Sequence, residues 1–396
     1  MNDTNPTDAA DKGKTPNRGP LTGIKVLDLT AVVLGPVATQ VLADYGAEVI
    51  KIESPEGDLM RANGVGRTPG MSSTFMNINR NKSSVCLDLK SEQGKAQLRK
   101  LIAQCDVLVH NIRVKAMERL GFGYAAAAKI NPSIVYCAAT GFGEGGAFSG
   151  QPAFDDIIQG ACGLAHLVGH ESGVPEYPPT LLADKIAGIS TANAILGALV
   201  HKARTGEGQY VEVPMFETMV AFTMTEHLGG HGFHPHIGDA GYARLLAGGR
   251  KPSPTKDGHI ALLPYTEQHW KAFFHRFGRG DYIDQINISD RTERNKNIQT
   301  IYAQLRDITA QYTTQEILDI CREMDIPVAE MYSIQNIQTH PQVVSTALFQ
   351  RMDHTTEGEV VATRPTALFS KTPTSIYKQA PRLGDDTQRI LQSLDE

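Results

Sequence analysis

The sequence predicts an α/β protein: a parallel sheet covered on both faces, followed by a smaller second unit. Three observations carry this expectation. Short apolar runs alternate with helical patterns from Leu21 to about Val213, joined by short connections. The texture then changes to a His-, Gly- and Pro-rich stretch over 227–257. A second, shorter alternation of strand and helix patterns begins at His259.

Residues 1–20 are polar and rich in Asn, Asp, Pro and Lys, and are expected to be a disordered tail. Residues 24–29 read as a strand. Pro36 opens a helix over 36–45 that Gly46 ends. Residues 48–52 form the next strand, which makes a βαβ unit with parallel pairing. A helix is expected over 91–104, with Leu98, Leu101 and Ile102 on its apolar face, then strands over 106–110 and 133–139. The large domain is expected over 21–225, completed by about 340–396, which carries Pro-rich connectors and a final helix near 386–394. Residues 226–257 read as a linker or long loop. The small domain follows over 258–339, with strands near 259–263 and 326–331 and helices near 267–277, 298–311 and 314–324.

Composition narrows the function classes. The 396 residues are 41% hydrophobic and 20% charged, as in soluble globular chains of two or three domains. A net charge of −5 argues against a nucleic-acid partner, so any anionic ligand must be held by local basic groups. Cys86, Cys105, Cys137, Cys162 and Cys321 share no metal-type spacing and fit buried thiols in a reducing, cytoplasmic setting. No apolar run reaches spanning length and no charged-then-apolar segment opens the chain, so no membrane partner is expected.

Asp184 is the most informative residue. It enters a small-residue apolar helix that runs to the basic turn at 201–209. Burial raises the pKa of such a carboxylate, while free N–H groups at the helix start favour its charged form. A partly dehydrated carboxylate that stays ionised is a plausible nucleophile, and an N-cap is the structural alternative. Residues 141–146 satisfy G-x-G-x-x-G, but residues 148–152 intervene before any helix and no acidic residue ends a neighbouring strand at the required offset. These glycines are read as allowing close backbone approach to a ligand or a facing chain. His227, His231, His234 and His236 match no zinc spacing, and no metal site is assigned. Neither a G-x-S-x-G elbow nor a Walker A sequence is present. Lys82, Asn111, Arg113 and Arg119 lie near strand ends, where ligands collect in open α/β sheets.

Four blocks together resemble the family III CoA-transferases, the CaiB/BaiF family, over nearly the whole chain from Leu21. They are residues 21–53 with Gly35-Pro36 inside them, 79–90, 111–121, and the stretch from Ala183-Asp184 through 205–218. The resemblance implies a Rossmann-like large domain, a smaller α/β domain, and two chains interlocked as rings in a homodimer. Some transferases of this family instead pair unlike subunits, which leaves room for a sister subunit and for a non-catalytic CoA-binding role. CoA and acyl-CoA are implied as substrates with no tightly bound cofactor, and a carboxylic acid as acceptor. Asp184 takes the position of the nucleophile, forming an acyl anhydride and then an aspartyl-CoA thioester. Backbone N–H groups of the Gly-rich stretch are expected to hold the oxyanion. By position, the resemblance implies CoA contacts at Val32, Val33, Leu34, Ile78, Asn79, Lys82, Asn111, Ile112, Arg113, Arg119, Thr140 and Met215.

The chain departs from formyl-CoA transferases at Ser54, where they carry arginine, and at Val33, where they carry glutamine. The family also contains α-methylacyl-CoA racemases, the alternative reading. Racemisation needs two acid/base groups at the α-carbon. The racemases supply a histidine where this chain has Phe154, and a glutamate that aligns with Thr266. Transfer is therefore expected. Arg244, Arg250 and Lys251 are candidates to grip a free carboxylate, and Leu262, Leu263, Tyr265 and Trp270 to line an acyl pocket, with a solvated loop and core packing as their structural alternatives.

Overall fold

The computed structural model describes residues 19–394. The expected tail falls almost wholly outside the described residues. The chain divides into two compact units: residues up to 165, 176–222 and 347 onward form the first, and 166–175 with 223–346 the second.

In the first unit the chain runs β1 (Lys25–Leu29), α1 (Leu34–Asp44), β2 (Glu48–Glu53), α2 (Ser73–Asn79), β3 (Lys82–Cys86), α3 (Glu92–Gln104), β4 (Val107–His110), α4 (Val114–Leu120) and α5 (Tyr124–Ile130). It continues through β5 (Val135–Thr140), α6 (Asp155–Ala161), α7 (Leu164–Val168), α8 (Leu182–Thr205), β6 (Gln209–Pro214) and α9 (Met215–His227), with unit boundaries falling inside α7 and α9. All six strands are parallel, in the order β3-β2-β1-β4-β5-β6.

Successive strand residues point to opposite faces, and both faces are covered. Leu27, Leu108 and Tyr136 enter one core with Ile50, Leu98 and Ile102. Their neighbours Val26, Val107 and Val135 enter the other with Val49, Ile195 and Leu199. Each fully buried leucine or valine contributes roughly 1.5–3 kcal/mol. On the second face α1 and α8 touch closely: a Cβ on Gly188 would stand 2.6 Å from the Leu34 carbonyl oxygen. Strand order reverses between β1 and β4, and open sheets bind ligands outside the carboxyl ends at that point.

The second unit carries α10 (Ala243–Leu246), β7 (Ser253–Pro254), β8 (His259–Leu262), α11 (Glu267–Arg276), α12 (Gly280–Asp284), α13 (Arg291–Thr309), α14 (Thr314–Glu323), β9 (Val328–Glu330) and α15 (Pro341–Ser345). Its three strands are antiparallel around a core of Trp270, Phe273, Phe274, Ile301, Leu305 and Ile317. Residues 226–257, expected as a linker, lie inside this unit. His227 is buried and accepts the Tyr242 N–H, and no group of three or more potential metal ligands forms among the described residues.

The chain then returns to the first unit. The stretch expected as connectors contains an antiparallel hairpin, β10 (Phe349–His354) and β11 (Gly358–Thr363), before α16 (Thr387–Gln392). The segment before α16 seals the edge of β3: Asn81 N–H donates to the Lys378 carbonyl at 2.8 Å and Asp386 N–H to that of Ser84 at 3.0 Å. Covering the edge removes a site for intermolecular strand pairing. Among the described residues no helix is long and apolar enough to cross a membrane.

Candidate active site

The carboxyl ends of β1 and β4 are tied together across the point where strand order reverses. Ala31 N–H donates to Asn111 Oδ1 at 3.0 Å, and Asn111 Nδ2 donates back to the Ala31 carbonyl at 2.7 Å. Above this bridge lies a cavity of about 320 Å³. Its walls come from Ala31, Val32 and Leu34, from Asn111 to Arg113, from Ala139 to Phe142 with Glu144, from Gly150 to Phe154, and from Asp184 and Met215. A second cavity of about 490 Å³ shares Ala31 and Ile112 with it and extends over the ends of β1, β2 and β3 to Asp88 and Lys90.

Asp184 is only 7% exposed, and among the described residues none donates a hydrogen bond to its carboxyl oxygens. It is the third residue of α8, whose N-cap is Leu181, so it is not the cap. The acceptor comes from elsewhere: Asp184 N–H donates to Asp155 Oδ1 at 2.9 Å. Burial, reinforced by the charge of Asp155, pushes the Asp184 carboxyl up to about 7. Of the two opposed influences expected at this position, burial and the helix start, burial is the larger. The N–H that would favour the charge is engaged by a second carboxylate, so desolvation prevails.

Two amides of the Gly-rich stretch are already engaged. Gly143 N–H donates to Glu217 Oε1 at 3.1 Å, and Glu144 N–H to Glu212 Oε1 at 2.7 Å. These amides are engaged by the protein's own carboxylates and are not free oxyanion donors.

The structure gathers only part of the implied CoA set. Val32, Leu34, Asn111, Ile112, Arg113, Thr140 and Met215 line the cavity with Asp184. Asn111 spends its side-chain amide on Ala31, and the Thr140 hydroxyl donates to Glu212 at 3.2 Å. Arg119 sits exposed in the last turn of α4, outside the cavity wall. Val33 is buried in the cluster of Met60, Met71 and Phe75, and Ile78 packs against that cluster. Lys82 and Asn79 are fully buried. The Lys82 ammonium donates to Asn79 and Thr39, both at 2.8 Å, to the Pro36 carbonyl at 3.0 Å and to Asp28 at 3.2 Å. Fully buried among these acceptors, it neutralises an interior carboxylate and offers no surface to a ligand.

In the second unit, Trp270 is core, the Arg244 guanidinium lies 5.5 Å from the centre of the Tyr265 ring, and Lys251 pairs with Glu171 at 2.6 Å. Sequence reasoning missed Asp155, Glu212 and Glu217 as site-shaping residues. Asp155 lay in the stretch inspected for a histidine, and only its 29-residue separation from Asp184 is visible in the sequence.

The family model for CoA-transferase family III matches residues 21–387, and the chain belongs to that family. It is a family III CoA-transferase, an enzyme that handles CoA thioesters. It is 31% identical over 379 residues to a succinyl-CoA:glutarate CoA-transferase of Mus musculus, covering 95% of this chain and 86% of that one. It is 30% identical over 397 residues to a succinate–glutarate CoA-transferase of Agrobacterium fabrum, covering 96% and 97%. The crystal structure of a CaiB/BaiF family protein from Brucella suis superposes with a TM-score of 0.82 at 27% identity, covering 96% of this chain and 100% of that one.

Proposed function

We propose that this chain moves CoA between a dicarboxylic acyl-CoA and a free carboxylic acid, with Asp184 as the covalent acyl carrier. The observation that carries the reading is an unpartnered, buried carboxyl in the wall of a cavity at the reversal point of the sheet. The nucleotide end of CoA occupies the cavity over β1, β2 and β3. The pantetheine arm passes Ala31 and Ile112, and the thioester carbonyl meets Asp184.

Ionised Asp184 attacks that carbonyl, the C–S bond breaks, and CoA leaves as thiolate. The thiolate then attacks the Asp184 carbonyl carbon of the anhydride, releasing the donor acid as carboxylate and leaving an aspartyl-CoA thioester. The acceptor carboxylate attacks this thioester and the thiolate leaves again. The thiolate finally attacks the acyl carbonyl of the new anhydride, giving the new acyl-CoA and regenerating Asp184. Each step exchanges one acyl–heteroatom bond for another, without an oxidant or a net proton.

A dicarboxylate is supported by the names of the relatives, which specify succinate and glutarate. Racemisation is disfavoured because Phe154, in the cavity wall, cannot move a proton. A homodimer is supported by exposed apolar side chains on and beside α6 and α8: Phe148, Phe154, Ile157, Leu181 and Ile189 are 41–61% exposed. Such a patch is a binding surface in soluble proteins.

The test is hydroxylamine trapping of the parent enzyme with succinyl-CoA, read by peptide mass spectrometry, alongside exchange by Asp184→Ala. An adduct on Asp184 and loss of exchange are expected; full exchange by the variant would rule the mechanism out.

A further inference from the structure

We propose that Asp58 is a positioning residue for acyl transfer: it holds Val32 in the left-handed conformation that sets the cavity wall around Asp184. Val32 has φ +69°, and of the four non-glycine residues with positive φ among the described residues it alone is β-branched. A β-branched side chain is a steric outlier there, so surrounding contacts must impose the conformation.

Those contacts are present on three successive residues. Thr30 N–H donates to Asp28 at 2.9 Å, and the Thr30 carbonyl accepts from the Lys51 ammonium at 2.7 Å. Ala31 is held on both sides by Asn111. Val32 N–H donates to Asp58 Oδ1 at 3.1 Å, an oxygen that also accepts the Met60 N–H at 3.0 Å. The other oxygen of Asp58 pairs with Lys51 at 2.9 Å, and both side chains are buried, at 1% and 0% exposure. One ion pair therefore grips the chain on either side of Ala31.

Asp58 does not line the cavity that contains Asp184, whereas Val32 and Leu34 do. Asp58 also lies in the wall of the second cavity, where a direct contact with CoA would appear in KM, whereas its influence on Asp184 passes through Val32. If the grip is released, Val32 relaxes to negative φ, and the backbone leading into α1 turns with it. Displacements of this kind at a reacting centre cost on the order of a hundredfold in rate.

The proposal rests on Asp184 being the acyl carrier. Its test is a cycle on exchange between succinyl-CoA and glutarate. Asp58→Ala is combined with Lys51→Met, so that no unpaired ammonium stays buried. That pair is expected to lower kcat by about 30-fold or more, with KM for succinyl-CoA changed by less than about threefold. Asp58→Asn with Lys51→Met keeps an acceptor for the Val32 N–H and is expected to restore most of kcat. In the Val32→Gly background, glycine adopts positive φ unaided, and Asp58→Ala with Lys51→Met is expected to cost less than about threefold relative to Val32→Gly alone. An equal loss of kcat in both backgrounds overturns the proposal. So does an effect on KM alone, or failure of the Asp58 variants to fold even with Val32→Gly. Absence of a hydroxylamine adduct in the parent defeats the acyl-carrier reading instead, while the cycle still decides the role of Asp58.

Discussion

The backbone N–H of Asp184 donates to the side chain of Asp155 at 2.9 Å, which joins two carboxylates at the start of one helix. Asp155 thereby does the work of a helix cap for α8 from a different helix, α6, and its other oxygen accepts from Gln159. Asp184 is left with a buried carboxyl and a negative neighbour, and its pKa rises to about 7.

Activity should follow that ionisation. Attack needs the carboxylate, so kcat/KM for the donor acyl-CoA is expected to rise with pH through a midpoint near 7. Asp155→Asn keeps an oxygen for the Asp184 N–H and removes the charge. It is expected to move the midpoint down. A pH–rate profile of the two enzymes checks this, and an unmoved midpoint would show that burial alone sets the pKa.

The same shift affects stability. The folded pKa of Asp184 lies above its ordinary value of 3.8, so the native state holds the proton more tightly than the unfolded chain. The stability this provides is complete below about pH 4 and is lost as pH rises through 7. Asp184→Asn is neutral throughout. It should abolish exchange yet gain on the parent by roughly 2–4 kcal/mol between pH 4 and pH 8.5, read by urea unfolding.

Lys82 separates a structural role from a ligand-binding one. Burial, with the like charge of Lys51, lowers its pKa to about 8, while Asp28 opposes the fall. Lys82→Met leaves Asp28 charged in the core and is expected to cost roughly 3–5 kcal/mol. Adding Asp28→Asn should recover much of that loss. KM for acyl-CoA is expected to stay within about twofold in whichever variant folds, because the ammonium is fully buried among protein acceptors.

These residues also show what was legible in the sequence. The β1–α1–β2 unit, α3, β4, β5 and, in the second unit, α11, α13 and α14 announce themselves by periodicity and by signals such as Ser91 at an N-cap and Gly46 after a helix. β3 did not, because Lys82 and Ser84 interrupt its apolar pattern; both are buried polar side chains with distant partners, Asp28 and Thr39 for Lys82 and Glu53 for Ser84. The hairpin at 349–363 was hidden because its strands are largely exposed and carry charge. Asp184 could be singled out from its helix and its family position. The bonds from Asp155, Asp58 and Glu217 join residues 26 to 74 positions apart, and no local pattern encodes them.

Gly141 offers a test of packing near the site. A Cβ there would stand 2.4 Å from the Cβ of Ala153, which belongs to the cavity wall next to Phe154. Gly141→Ala is expected to cost roughly 1–3 kcal/mol and to depress exchange by displacing that wall. Ala153→Gly in the same chain should restore both. Thermal unfolding and exchange assays on the single and double variants decide it.

The glycine-rich stretch from Gly141 to Gly146 has the spelling of a phosphate cradle, yet Glu217 and Glu212 already sit on its amides. The enzyme has in effect bound two anions of its own. A phosphate approaching Gly143 or Glu144 would meet negative charge in place of open N–H groups. The glutamates thus make an occupied decoy: a pattern that spells an anion site, already filled from within the fold.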